Sequence, residues 1–219
     1  MQIVEQRSDL WFEMRRCKIT SSEIHKIMGG KEGALTETTK TYLLERAAQY
    51  FGGQSAPSNG AALEWGIELE DLALEVYQER TGIVATKCSF IEVNKHYGGS
   101  PDALVGTEGT VEIKCPFNSA NHFKHGLITS DAEFYKAAPA YYYQCISHMI
   151  CANAQWCDFI SFDPRVQPEY GMFIYRLHRD EAEVENVKAK IEIAVKYMLE
   201  IIAKIEEAKS KQILSESKA

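Results

Sequence analysis

Apolar residues along this chain follow two rhythms, and the change between them separates helical from strand segments. Leu10, Trp11 and Met14 share one helical face behind a capping-type Ser8, which predicts a short helix over residues 8–15. Ile24, Ile27 and Met28 predict another over 22–28, ended by Gly29 and Gly30, and residues 38–50 read as a third. A turn-forming run, GGQSAPSNG over 52–60, precedes a long helix over 61–80, whose Leu69, Leu72, Ala73, Val76 and Tyr77 mark one buried face before Gly82 closes it. The period then shortens. Residues 83–93, 103–105 and 110–114 read as strands, with Gly98-Gly99 and 106–109 as turns. A tyrosine-rich helix over 140–152 is followed by strands over 157–162 and 172–177, parted by Asp163-Pro164. A terminal helix over 180–211 carries Val184, Val187, Ile191, Val195, Met198, Ile202 and Ile205 on one stripe, expected to pack within the molecule. Mixed strands with helices at both ends of the chain predict an α/β fold around a central sheet.

With 219 residues, 45% of them hydrophobic, the chain can bury one substantial core, so a single domain over 1–219 is expected. No run approaches the roughly 20 uncharged apolar residues that span a bilayer, and the N-terminus has no apolar signal core. No membrane association and a cytoplasmic location are therefore expected. The six cysteines form no C-x-x-C pair and are expected to be reduced. Cys145, Cys151 and Cys157 recur regularly, but at an interval unlike close metal-ligand pairs, so core packing is the plainer reading. A net charge of -7 argues mildly against a nucleic-acid partner. Much of that acid lies within 180–216, however, so the total does not exclude a locally attractive surface.

Candidate chemistry is concentrated in Ser100-Pro101-Asp102-Ala103-Leu104, a glycine-rich turn, and Val111-Glu112-Ile113-Lys114-Cys115-Pro116. If Asp102 begins one strand of a hairpin and Glu112 lies on its partner, the two carboxylates converge. Glu112 and Lys114 are two apart and share a strand face, while Ile113 points to the other side. Two hard carboxylate donors suit Mg²⁺, and a neighbouring lysine can position water and offset developing negative charge, which together suit phosphodiester hydrolysis. As a bare pattern this is only moderately specific, because a solvated sheet face also alternates charged residues.

Four blocks in matching order and spacing make the signal far more specific: SDLWFEMRRCKITSSEIHKI, ALEWGIELEDLA, SPDAL with VEIKCPF, and FDPR over 162–165. Over residues 8–179 the chain resembles the lambda exonuclease family of viral recombination nucleases, within the PD-(D/E)xK superfamily. The resemblance implies a restriction-endonuclease-like core, a central mixed sheet flanked by helices. It implies Mg²⁺, with Mn²⁺ as a substitute, as one or two ions held by Asp102, Glu112 and the backbone carbonyl of Ile113. Lys114 matches the catalytic lysine and Glu70 an additional catalytic acid; Arg15 and Ser22 match a pocket for a DNA 5′-phosphate. Leu63 matches an apolar wedge at the terminal base pair, and Gln144 a glutamine beside the active site. Without the resemblance, Glu70 reads as a solvated helix position, Arg15 as a surface residue, Ser22 as a helix cap, Leu63 as core and Gln144 as a surface residue or one packed on the tyrosines.

Members of the family degrade double-stranded DNA from 5′ ends, release mononucleotides and leave a 3′ strand for a single-strand annealing protein. They form ring-shaped homotrimers. The implied setting is phage-type recombination in a bacterial host cytoplasm. Ala61 and Ala120 depart from this pattern, standing where basic residues are expected, and His148 stands where related helicase-linked nucleases often have tyrosine. His122 and His125, near Lys124, read as surface or loop residues, and at least one of Tyr141, Tyr142 and Tyr143 is expected in the core. The alternatives are another PD-(D/E)xK DNA nuclease, RecB-like, Cas4-like or an endonuclease, and a DNA-end-binding module that does not cut. The cysteine spacing does not fit the iron-sulfur cluster of Cas4-like proteins, and an intact Asp102, Glu112 and Lys114 set is not needed by a pure binder.

Overall fold

The computed structural model describes residues 4–30, 34–54 and 60–216. Its central feature is a mixed five-stranded sheet in the order β2(Thr86–Lys87), β5(Ala103–Val105), β6(Gly109–Lys114), β7(Trp156–Phe162), β8(Met172–His178). Only β6 and β7 run parallel within it. That pair needs a long crossover, which three helices supply: α4(Ser119–Gly126), α5(Asp131–Ala137) and α6(Pro139–Ala152). A second, three-stranded sheet joins β1(Ile19–Thr20), β4(Tyr97–Gly99) and β3(Ile91–Asn94).

Alternation on the strands builds a separate core on each face of the main sheet. Val111 and Ile113 of β6, with Ile160 and Phe162 of β7, pack against Ala73, Leu74 and Tyr77 of the long helix α3(Ala61–Thr81). Cys157 and Phe159 point the other way, onto Cys145, Ile146 and Met149 of α6. Beyond α6 the core continues through α2(Glu37–Tyr50) to the apolar stripe of α7(Glu181–Glu216). That stripe packs within the molecule, with Val184, Val187, Ile191, Met198 and Ile202 buried and Ile205 exposed. Among the described residues no helix is long and apolar enough to cross a membrane.

Several expectations are corrected. The strand over 83–93 divides into β2 and β3, which belong to different sheets. Gly98 and Gly99 form a buried strand rather than a turn. Their missing side chains permit close packing: a Cβ on Gly99 would fall 2.0 Å from Ser21 Oγ. The helix expected over 22–28 is a 3-10 helix, Ser21–Ile27, with Met28 at its C-cap. Leu10 and Leu72 are exposed, and Leu74 is buried instead. Helices α4 and α5 were not read from the sequence, and residues 55–59 of the turn-forming run lie outside the described residues. Helix α1(Asp9–Arg15) has its expected cap, with the Trp11 N–H donating to Ser8 Oγ. Gly82 ends α3 at φ +71°, a left-handed conformation that glycine adopts without a Cβ clash.

Candidate active site

The β5–β6 hairpin brings Asp102 and Glu112 together as its register requires. Ala103 pairs with Val111, and the Asp102 N–H donates to the Val111 carbonyl at 3.0 Å. Asp102 Oδ2 also accepts from the Ile113 N–H at 2.6 Å, which fixes one carboxylate against the strand bearing the other. On β6, Glu112 and Lys114 share the face opposite Ile113 and form an ion pair. Helix α6 closes over them. Lys114 Nζ lies 4.9 Å from the Tyr141 ring centroid. One helical face of α6 also carries Gln144, which is buried, and His148, whose Nδ1 is 3.2 Å from Glu112 Oε2.

Glu112 is about 1% exposed. Its oxygens are near Lys114 and His148, yet neither contact has hydrogen-bond alignment, so both remain orphaned within a buried site. Burial pushes the Glu112 carboxyl up, but the Lys114 charge and His148 outweigh it and hold the group below its usual range. Asp102 is driven well above its usual range by burial, then by repulsion from Glu112 and Glu70. Burial alone would lower Lys114, but Glu112 and Asp102 more than offset that and raise it. Crowded carboxylates with unfilled oxygen lone pairs fit a hard divalent cation, whose charge would relieve the repulsion. Among the described residues no group of three His, Cys, Asp or Glu donors that could hold a metal ion is drawn together, so the fit rests on the Asp102 and Glu112 carboxylates.

These groups open onto a cleft of about 860 Å³, and each predicted site residue lies on its lining. Glu70 faces it from α3 and accepts from Arg7 Nη2 at 2.8 Å. Leu63, on the first turn of the same helix, is 41% exposed, a cleft residue rather than a core one. Arg15 and Ser22 meet at another part of the wall, where Arg15 Nη2 donates to Ser22 Oγ at 3.0 Å. The Arg15 guanidinium lies 4.0 Å from the Trp11 ring centroid. Burial lowers Arg15 to about 10, which leaves it cationic at neutral pH. Trp11 Nε1 donates to Ser100 Oγ at 2.9 Å, tying this cationic corner to the segment that leads into Asp102.

Other readings change with the geometry. His122 and His125 are buried on α4, and both approach Ser161 Oγ at 3.0 Å. Tyr141, Tyr142 and Tyr143 are each half-buried against the core rather than one being enclosed. Cys145 and Cys157 are buried, and all six cysteines are free. Sequence reasoning missed the α4 wall of the cleft, although Asn118 is a capping residue that accepts from the Ala120 N–H and could have marked the helix start. It noted His148 only as a departure, and its place against Glu112 depends on the crossover geometry.

Among solved structures, the chain is similar to the alkaline exonuclease LHK-Exo from Laribacter hongkongensis, at 28% identity and TM-score 0.80, with 94% of this chain and 100% of that one covered. The structure of LHK-Exo in complex with dAMP matches at 30% identity over the same shares, also at TM-score 0.80. A phage-related exonuclease from Haemophilus somnus shares the fold at 20% identity and TM-score 0.72, covering 86% of this chain and 96% of that one. These likenesses bear out the α/β architecture, a mixed sheet flanked by helices as in PD-(D/E)xK-type alkaline exonucleases. No curated protein sequence matches the chain. The model of the YqaJ-like viral recombinase domain matches residues 10–155, and on that match this chain belongs to the YqaJ-like viral recombinases, within the lambda exonuclease family.

Proposed function

We propose that this protein is a single-domain, divalent-metal-dependent exonuclease that degrades double-stranded DNA in the 5′-to-3′ direction and releases mononucleotides. The observation that carries the reading is that the Asp102–Glu112–Lys114 set and the Arg15–Ser22 corner line one cleft. An anion-binding corner alone would suit many ligands. Its union with crowded carboxylates supports a phosphate end and a reacting phosphodiester within one groove.

Asp102, Glu112 and the Ile113 carbonyl would hold Mg²⁺, with Mn²⁺ as a substitute, as one or two ions. Bound there, the metal supplies Lewis-acid polarisation of the phosphate and a lowered pKa for water. Lys114 stays cationic beside Glu112 and offsets the negative charge that grows on the phosphoryl oxygens. Glu70, turned into the cleft, serves as an additional acid at its edge. Arg15 and Ser22 bind the terminal 5′-phosphate through a guanidinium fork and a hydroxyl. Leu63 wedges the terminal base pair, and Gln144 supports the floor beside Lys114. Water attack breaks the P–O3′ bond, so the first nucleotide leaves with its own 5′-phosphate and the next one inherits a new 5′-phosphate. Each cycle thereby regenerates the end that Arg15 and Ser22 recognise.

The dAMP complex of LHK-Exo supports a mononucleotide as the ligand of such a cleft. By family, the protein would act as a homotrimer in phage-type recombination in a bacterial cytoplasm, passing the 3′ strand to a single-strand annealing protein. The test is a linear duplex with one 5′-phosphorylated and one 5′-hydroxyl end, incubated with Mg²⁺ or with EDTA. Metal-dependent mononucleotide release, faster from the phosphorylated strand, is expected. Internal cuts, or release that starts at 3′ ends, would overturn the reading.

A further inference from the structure

Helix α4 forms a wall of the cleft to which no role above is assigned. Asn121, Lys124 and His125 stand at i, i+3 and i+4 and all line the cleft, so one face of this helix looks into it. Behind that face, a chain of hydrogen bonds fixes where the protons lie. The Tyr170 carbonyl can only accept, so His122 Nε2, 2.8 Å away, carries a hydrogen. In the neutral ring His122 Nδ1 is therefore an acceptor, and the Ser161 hydroxyl at 3.0 Å must donate to it. A hydroxyl has one hydrogen, so Ser161 Oγ accepts from the remaining neighbour, His125 Nδ1–H, at 3.0 Å. His125 Nε2 is left with an unprotonated lone pair.

That nitrogen has no hydrogen-bond partner among the described residues and, unlike the ring nitrogens of His148, is not fully enclosed. His125 borders the cleft and also a small cavity of about 60 Å³ behind it. Burial, then the neighbouring His122, Lys124 and Lys114, push its imidazole down to about 4, which leaves the ring neutral at neutral pH. Among the other ionisable groups on the cleft, the carboxylates repel phosphate and the lysines and arginines only donate, which leaves the Tyr141 hydroxyl and the Cys115 thiol. His125 Nε2 is a neutral acceptor, as are the amide oxygens of Gln6, Asn121 and Gln144 on the same lining, and it can receive a hydroxyl or amino hydrogen without adding negative charge beside a phosphate.

We propose that His125 Nε2 accepts a hydrogen bond from the nucleotide held in the cleft, from its sugar hydroxyl or its base amino group, while Lys124 faces the phosphate backbone. The inference rests on the reading of the cleft as a nucleotide site. Its direct test is two-bond ¹H–¹⁵N spectroscopy of the full chain at roughly pH 8, where imidazoles of ordinary pKa are neutral. His125 should show a protonated Nδ1 and a bare Nε2, and His122 the opposite tautomer. Ser161→Ala, which leaves both rings in place, should release His125 into a mixture of tautomers. Adding dAMP should shift His125 Nε2 in the direction of hydrogen bonding. 2′,3′-Dideoxyadenosine monophosphate should fail to do so if the sugar hydroxyl is the donor, and dTMP should fail if the base amino group is. His125→Ala should weaken dAMP binding roughly threefold to tenfold, the effect of one neutral hydrogen bond.

A protonated Nε2 on His125 in the free protein would overturn the inference, even if the alanine variant does not fold. If dAMP binds, but the Nε2 signal does not move and His125→Ala binds equally well, the inference fails while the nucleotide cleft stands. If neither dAMP nor a DNA end binds the wild-type protein, the reading of the cleft fails and the inference falls with it.

Discussion

Asp158 and Glu112 are each about 1% exposed and sit on neighbouring strands of one sheet, but the chain surrounds them very differently. Asp158 faces α3, where it accepts from Tyr77 OH at 2.6 Å and from Arg176 Nε and Nη2 at 2.7 and 2.8 Å. The Arg176 guanidinium is in turn held 3.6 Å from the Trp156 ring centroid. Glu112 faces α6 and the cleft, with charged neighbours but no aligned donor. A buried carboxylate whose lone pairs are filled holds the fold together. One left with open lone pairs crowds the carboxylate beside it and is suited to an incoming cation. Local rules broken at one point of an otherwise consistent structure mark the site of function.

Substitutions should separate the two. Asp102→Asn, which removes one charge of the crowded pair, is expected to lower cleavage by roughly 10² to 10³ or more, while the melting temperature without metal stays level or rises, because its burial and its repulsion by Glu112 and Glu70 are relieved. A clear drop in that melting temperature would erase the contrast. Arg15→Ala should slow degradation from phosphorylated ends by roughly 10- to 100-fold, as loss of a charge-assisted contact implies, with little change at hydroxyl ends. An equal loss at both ends would make Arg15 structural. Asp158→Ala should do the reverse of Asp102→Asn: a loss of about 1–3 kcal/mol in stability, read by denaturant unfolding, with cleavage per folded molecule unchanged.

The smallest expected effect lies at Asp163, which Arg165 reaches through Nε and Nη2, both at 2.8 Å. Hydrogen bonds from Arg165 hold the Asp163 carboxyl well below the usual carboxylate range. A depressed acid contributes stability that is present above its unfolded pKa, about 3.9, and lost as pH falls towards the folded value. Arg165→Ala should therefore be less stable than wild type near neutrality, and the gap should close as pH drops below about 4. A gap independent of pH would assign the loss to Arg165's stacking on Trp65, at 4.3 Å, and its bonds to the Pro116 and Phe117 carbonyls.

The carboxylate–lysine hairpin was legible because strand alternation sends Glu112 and Lys114 to one face whatever surrounds them. The burial of Tyr77 and Val184 followed equally well from helical spacing. Helix α4 was not legible, since its buried residues are histidines made tolerable by Ser161 and the Tyr170 carbonyl, partners roughly 40 residues away that no local pattern reveals. On α3, apolar Leu63 and Ile67 line an open cleft instead of a core, so the helical period there marks the site as well as the packing. The glycines of β4 looked like a turn because the need for close approach to Ser21 and Phe90 arises only in the packed molecule.

The measurement that tests the central claim most directly is digestion of 5′-phosphorylated linear duplex DNA with Mg²⁺ by wild type and by Lys114→Ala, with DNA binding followed in parallel. Wild type should release mononucleotides from 5′ ends, and the variant should bind the same DNA yet leave it intact. Strong residual cleavage by Lys114→Ala would contradict the assignment of this cleft as the hydrolytic site.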